Sequence, residues 1–299
     1  MQHLITTSDF SKKEILKIFS DASLFEDLTS NNILEGKLIV TLFFENSTRT
    51  RSAFEIAAKR LGAAVVNLEV QTSSTKKGET VEDTVSNLNA MNPDAIIIRH
   101  SDCGLPASLI EHVNCPIINA GDGMNAHPTQ ALLDLYTIYK HFDGKTKGKR
   151  LAMIGDIKNS RVAASNLKLL PRFGIKLTLI APKEFKVNSK FRTTKSIKKV
   201  IDKLDIIMSL RVQHERHIVD KNITQKILDR KIKEYATKYC ITKDLMQDKD
   251  ILILHPGPVN RNIDISDDML EDKRCKVLEQ VANGVAIRMA VLKKLILKQ

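Results

Sequence analysis

Apolar residues along the chain fall into short continuous runs separated by stripes recurring at three and four residues. That alternation predicts buried strands divided by amphipathic helices. The runs lie at residues 38–44 (LIVTLFF), 64–68, 95–99 and 115–119, then at 151–154, 175–180, 205–210 and 251–254. Strands apolar on both faces and alternating with helices point to parallel sheets covered by helices. The spacing Ser11-x-x-Glu14 reads as a capping box before Ile15, Leu16, Ile18 and Phe19. A second stripe, Phe54, Ala57, Ala58 and Leu61, is stopped by Gly62. A third helix begins at Pro128, a residue favoured at the first helical position, and carries Leu132, Leu135, Tyr136 and Tyr139. Further helices are expected over 161–170 and 277–297.

The chain has 299 residues, about twice the ~150-residue prior for one domain. The polar, Gly- and Lys-rich stretch 143–150 after the Pro128 helix is the candidate boundary between two α/β series. Residues 220–239 are highly charged, and a mobile loop with some helix is expected there. Hydrophobic residues at 42% and charged ones at 27% are ordinary for a globular protein. No apolar run approaches the ~20 residues of a membrane span, and the N-terminus lacks the features of a signal peptide. Cys103, Cys115, Cys240 and Cys275 form no CxxC pair, which argues against zinc and disulfide frameworks and for reduced thiols in the cytoplasm.

A net charge of +12 raises the question of nucleic acid. The lysines are dispersed, however, with only modest clusters such as Lys195–Lys199, and there is no Trp, no RRM signature and no C2H2 finger. A lysine-rich solvated surface is the preferred reading, with anionic small molecules second. No nucleic acid and no membrane are expected as partners.

In open parallel sheets, ligands sit beyond the carboxyl ends of the strands, so the residues that follow each strand carry the chemistry. After 38–44 comes Glu45-Asn46-Ser47-Thr48-Arg49-Thr50-Arg51, leading straight into a helix. Arginines in a helix's first turn oppose its dipole unless an anion arrives; with the hydroxyls and free N–H groups they make a phosphate cradle. It is not a Walker loop, since no GxxxxGK[ST] is present. Taken alone, an ordinary Ser/Thr cap with solvated arginines explains it equally well. Arg99 closes the third strand. Ala120-Gly121-Asp122-Gly123 reads as a flexible turn, followed by His127 just ahead of the Pro128 helix and Gln130 one turn in. At that position the dipole disfavours imidazolium and leaves a neutral ring able to donate one hydrogen bond. In the second half, Gly155-Asp156 follows a strand without a GxGxxG, and Arg161 opens the next helix. Arg211-Val212-Gln213, with Glu215 and Arg216, follows strand 205–210, and His255-Pro256-Gly257-Pro258 follows strand 251–254. Singly, each of these reads as well as a solvated side chain. Jointly, nearly every strand end presents cations or donors with no acidic pair for a metal, which suits a substrate bearing phosphate plus carboxylates.

The segments FENSTRTR, STKKGET, IIIRH, GDGMNAHPTQ, MSLRVQHER and LHPGPVNR, in this order, resemble the catalytic chains of the aspartate carbamoyltransferase family across residues 9–295. STRTR with HPTQ resembles carbamoyltransferases as a class, and RVQ with HPGP the aspartate branch over the ornithine one. The resemblance implies two doubly wound parallel-sheet α/β domains of the aspartate/ornithine carbamoyltransferase type. Residues 1–130 would bind carbamoyl phosphate and 131–278 aspartate, with helix 279–299 packing back on the first. It implies that Ser47, Thr48, Arg49 and Thr50 cradle carbamoyl phosphate. Thr50, Arg99 and His127 would polarise its carbonyl, and Gln130 would contact its amide. Arg161 and Arg211 with Gln213 would hold the aspartate carboxylates, and the Pro256 and Gly257 carbonyls would face the attacking amine. Ser73 and Lys77 match residues that reach a neighbouring subunit's site in a homotrimer, and Lys77 would touch both substrates. Glu45, Arg161, Glu215 and Arg216 match an ion-pair set supporting domain closure. One departure stands out: the glycine expected after Asn260-Arg261 is Asn262 here.

Carbamoyl transfer by this set needs no metal and no cofactor, and no nucleophile sits beside a base to form a covalent intermediate. An ornithine enzyme would be expected to carry a cysteine where this chain has Pro256, and would not need two carboxylate-binding arginines. A catalytically dead scaffold is disfavoured by the intact Arg49, Lys77, His127 and Arg211. A regulatory chain or a dihydroorotase stays open as a partner.

Overall fold

A computed structural model describes residues 1–28, 30–69, 79–182, 185, 187–211 and 225–297. The chain divides into two compact units, one of Met1–Tyr136, Ala164–Leu169 and Val281–Gln299, the other of Thr137–Ala163 and Leu170–Gln280.

The strands of the first unit are β1 (Leu38–Phe43), β2 (Ala64–Glu69), β3 (Ala95–His100) and β4 (Ile117–Asp122). They form one parallel sheet in the order β2-β1-β3-β4. β4 is buried throughout, and β1 and β3 nearly so, which is why these segments read as unbroken apolar runs. The unit's helices begin with α1 (Lys12–Phe25), α2 (Thr48–Arg60), α3 (Val81–Ala90) and the short α4 (Leu105–Ser108). The Ser11 capping box forms as its spacing predicts: Ser11 Oγ accepts from the Glu14 N–H, and Glu14 accepts from the Ser11 N–H at 2.8 Å. α5 (Pro128–His141) opens in this unit, and α6 (Arg161–Leu169) ends in it.

Strands β5 (Arg150–Ile154), β6 (Lys176–Ile180), β7 (Arg192–Thr194), β8 (Ile206–Ser209) and β9 (Leu252–Leu254) make the second unit's parallel sheet, ordered β7-β6-β5-β8-β9. Helices α7 (Gln225–Tyr239), α8 (Lys243–Met246) and α9 (Asp267–Leu270) precede the last helix, α10 (Val277–Ile296). The polar stretch 143–150 lies in this unit, where the Thr146 hydroxyl donates to the Phe173 carbonyl at 3.0 Å. In the first unit α10 is tied to α1 by Lys293–Asp21 and Lys294–Glu14, both at 2.9 Å.

Two local expectations change. Of the stretch 220–239, expected as a loop with some helix, residues 220–224 lie outside the described residues and 225–239 are helical throughout, because Tyr235 and Tyr239, one turn apart, bury their rings in the second core with centroids 4.9 Å from each other. Ala120, Gly121 and Asp122 are the buried end of β4, not a flexible turn. Asp122 accepts from Asn119 Nδ2 (2.7 Å), the Gly104 N–H (2.7 Å), Asn125 Nδ2 (2.8 Å) and the Ala126 N–H (3.0 Å), so its carboxylate pins the chain on both sides.

In each sheet the chain reverses its direction of winding beside the first strand, between β1 and β3 in one and between β5 and β8 in the other. Those crevices at the strands' carboxyl ends are where an open parallel sheet takes ligands.

Candidate active site

In the first unit β1 and β3 deliver their ends to the winding reversal. β1 leads through Glu45 into α2, whose first turn carries Arg49, Thr50 and Arg51 and no acidic residue. The N-cap, Ser47, makes no side-chain capping bond, whereas Ser11 and Thr80 both cap their own helices. A helix start not closed by its own side chain leaves N–H groups available to an anion. Thr48 and Arg49 are exposed, Ser47 is half-buried and Thr50 is buried.

Arg99, at the end of β3, donates from Nε to Glu45 Oε2 at 3.2 Å and from Nη1 to the Ala120 carbonyl at 3.3 Å. The Phe44 N–H donates to the Arg99 carbonyl at 2.9 Å, which fixes the backbone as well. The resemblance groups Glu45 with a closure set; here it braces Arg99 of its own unit.

His127 stands immediately before α5, and its carbonyl accepts from the Ala131 N–H at 3.2 Å. It is buried, and its N–H donates to Ser165 Oγ at 2.8 Å. Gln130, one turn into the helix, donates from Nε2 to Asp134 Oδ1 at 2.8 Å. The Asp122 web described above holds the turn leading to His127. The first unit therefore gathers Ser47, Thr48, Arg49, Thr50, Arg99, His127 and Gln130 at the carboxyl end of one sheet or the helices that follow it, a mixture of cations, hydroxyls and an amide.

In the second unit Gly155 follows β5 with φ +123, and a Cβ there would lie 2.5 Å from the Leu210 carbonyl oxygen, so glycine lets two strand ends approach. Asn159 Nδ2 donates to Asp156 Oδ1 at 2.9 Å, and the Ala163 N–H to Ser160 Oγ at 3.1 Å, which shapes the start of α6 around the buried Arg161. Arg211 follows β8 and is half-buried.

β9 runs into the loop holding Pro256 and Gly257. His255 is fully buried; its Nδ1 accepts from the Gly257 N–H at 2.8 Å, and its Nε2 lies 3.1 Å from Asp264 Oδ2. An Nδ1 that accepts carries no proton, so the hydrogen is on Nε2 and points at Asp264. Asp264 also accepts from the Asn260 N–H at 2.9 Å, while the His255 N–H donates to Gln280 Oε1 at 2.9 Å. The path of the loop is thus set by a buried histidine–carboxylate pair. Asn262 takes the place of the expected glycine and keeps a glycine-like backbone, with φ +60. Asparagine tolerates that region, and here its side chain exchanges bonds with Asp267, donating to Oδ2 at 2.7 Å and accepting from the N–H at 3.0 Å.

Ser73, Lys77, Gln213, Glu215 and Arg216 lie outside the described residues. Strand ends alone do not point to Asp122, Asp134, Ser165 and Asp264, which hydrogen-bond the candidate residues or the backbone beside them. Only Asp134 left a readable signal, its four-residue spacing from Gln130.

Two family models match the chain, the second including residues 164–169 and 281–295, which pack with the first unit. Residues 2–140 match the family model for the aspartate/ornithine carbamoyltransferase carbamoyl-P binding domain, and residues 147–295 that for the Asp/Orn binding domain. The chain is 65% identical to an aspartate carbamoyltransferase catalytic subunit of Aliarcobacter butzleri, over 99% of each chain. It is 60% identical to that of Campylobacter lari over the whole of both. Among solved structures it resembles the catalytic subunit of M. jannaschii aspartate transcarbamoylase, with TM-score 0.88 and 35% identity over 100% of this chain and 99% of that one. It also resembles the Trypanosoma cruzi aspartate transcarbamoylase in complex with carbamoyl phosphate and aspartate, with TM-score 0.87 and 31% identity over 98% and 96%.

Proposed function

The chain belongs to the aspartate/ornithine carbamoyltransferase family, and from that premise we propose that it transfers the carbamoyl group of carbamoyl phosphate to the amino group of L-aspartate. The products are N-carbamoyl-L-aspartate and phosphate, in de novo pyrimidine biosynthesis. The observation that carries the proposal is the donor set of the first unit: a helix start left uncapped by its own side chain, beside an arginine braced by a carboxylate and an amide braced by another.

Ser47, Thr48, Arg49 and Thr50 bind the phosphate. Thr50, Arg99 and His127 donate to the carbonyl oxygen, where negative charge develops as the aspartate nitrogen attacks the carbamoyl carbon. One such preorganised donor is worth about 3 kcal/mol, and holding the two reactants in line adds roughly 7 kcal/mol or more. A C–N bond forms and the C–O bond to phosphate breaks. The departing phosphate takes the amine's proton, and its charge is taken up by Arg49 and Lys77. Arg161, Arg211 and Gln213 hold the two carboxylates, and the carbonyls of Pro256 and Gly257 accept from the amine. The active species is a cytoplasmic homotrimer in which Ser73 and Lys77 serve a neighbouring subunit's site.

The test is to supply carbamoyl phosphate with L-aspartate or with L-ornithine and to measure phosphate and carbamoylated product. Aspartate-dependent product is expected. Product with ornithine alone would overturn the acceptor, and silence with both would overturn the activity of the isolated chain. For the shared site, K77A and R49A trimers should each be nearly inactive and regain activity when mixed; no recovery after verified subunit exchange would refute sharing.

A further inference from the structure

Behind Gln130 the first unit buries a polar cluster that the transfer reaction does not itself require. Asp134 is fully buried one turn along α5, and its two oxygens accept from Gln130 Nε2 and from Asn166 Nδ2 on α6, each at 2.8 Å. Arg288, on α10, is buried in the same region. Its Nη1 donates to the Gly284 carbonyl at 2.8 Å, and its guanidinium lies 5.0 Å from the centre of the Phe54 ring. A Cβ at position 284 would come within 2.7 Å of Arg288 Nη1, so glycine admits the arginine. Burial pulls Arg288 down to about 10, and the negative charge of Asp134 acts in the opposite direction.

A carboxylate only accepts hydrogen bonds. Gln130 therefore has to turn its NH2 inward, and the oxygen on the same carbon faces the other way. Among the described residues the Gln130 side chain makes no other hydrogen bond, so Oε1 remains to accept from a ligand. Asn166 gives its NH2 to the other oxygen of Asp134, so both oxygens act as acceptors and Gln130 faces an acceptor.

We propose that Asp134 is a positioning residue that locks the amide of Gln130 with its oxygen toward the ligand, so that the site selects a donor bearing an amino group, carbamoyl phosphate, over an acyl phosphate of the same shape. The inference rests on the carbamoyl-transfer reading above. Acetyl phosphate is the discriminating probe, since its methyl group replaces the amino group and donates nothing. A site built to hydrogen-bond a substrate N–H rejects the analogue lacking it, because its own acceptor is left unpaired.

The experiment measures the KM of carbamoyl phosphate and the competitive Ki of acetyl phosphate in the wild type, D134N, Q130A and Q130A/D134N. Asparagine can present either face to Gln130, so D134N is expected to weaken carbamoyl phosphate about tenfold, the loss of roughly one net hydrogen bond, and to leave acetyl phosphate within about twofold. In the Q130A background the same change should do nothing further to the ratio. Equal weakening of both phosphates, or an undiminished shift in the Q130A background, would show a merely structural role and overturn the proposal. The same ratio is read in D134N/R288M, which removes the buried cation with its counter-charge and decides the matter if D134N alone does not fold. Wild-type protein that fails to turn over carbamoyl phosphate with aspartate would instead refute the carbamoyl-transfer reading itself.

Discussion

In the first unit Glu45 braces Arg99, Asp134 braces Gln130, and Asp122 holds the turn that leads to His127. In the second unit the buried carboxylate, Asp264, reaches through His255 to the N–H of Gly257 and directly to the N–H of Asn260, so it holds backbone. The two arrangements answer opposite chemical needs. A phosphate and a carbonyl oxygen need donors, which long side chains supply and which lose less entropy on binding when they are already braced. An attacking amine needs acceptors, and on the proposed mechanism the backbone carbonyls of this fixed loop would provide them without a side chain to order.

That contrast can be broken most forcefully at Arg99. R99A should lower kcat by about 10²–10³-fold, the usual result of removing one preorganised donor, whereas E45Q, which leaves the cation and weakens its brace, should cost about tenfold. Equal losses in steady-state kcat would mean that Glu45 is as essential as the arginine and not merely its support.

On the backbone side, H255L removes the link between Asp264 and the 256–258 loop. It should raise the KM for aspartate about tenfold while leaving that for carbamoyl phosphate nearly unchanged, as expected when displaced groups serve one substrate only. A parallel rise in both constants would erase the distinction between the units. Gly155 offers a stability counterpart: G155A pushes a methyl group toward the Leu210 carbonyl at a positive φ. It should cost about 2 kcal/mol, visible as a lower urea midpoint with unchanged slope.

The smallest effect concerns acid. In the first unit the Lys294 ammonium, with the Ser11 N–H, holds the Glu14 carboxyl down to about 2 from 4.5. In the second the Arg274 guanidinium holds Asp272 down to about 2 from 3.8. A carboxylate held below its unfolded value contributes stability that is complete above that value and is lost as the pH falls toward the folded one. Each contribution should therefore fade between roughly pH 4.5 or 3.8 and pH 2. E14Q and D272N should each flatten the fall of the urea midpoint over its own window, and an unaltered slope would show the pair to be energetically silent.

Eight of the nine described strands were legible because each is a run of apolar residues long enough to bury by itself, whereas the edge strand β7, Arg-Thr-Thr, carries no such run and was not read; α1 and α5 were legible because Ser11, Glu14 and Pro128 mark their starts locally. The candidate site residues were chosen for a related reason: they follow strands, and strand ends are where parallel sheets bind. The full extent of helix α7 was not legible, because its charged residues outnumber the apolar ones and only burial of Tyr235 and Tyr239 reveals which face counts. The conformation at Asn262 was not, since the glycine signal was absent while the side-chain bonds to Asp267 stabilised the same backbone.

By itself the sequence determined the alternation of strands and helices, the helix caps and the identity of the groups at the strand ends, all properties of neighbouring residues. The tertiary structure decided which carboxylate stands behind which candidate site residue. Ser165 and Asn166 meet α5 from α6, Arg288 comes from α10, and Glu45 meets Arg99 across adjacent strands. Such partners are chosen by burial, because a polar group removed from water must find whatever complementary group the fold brings within reach.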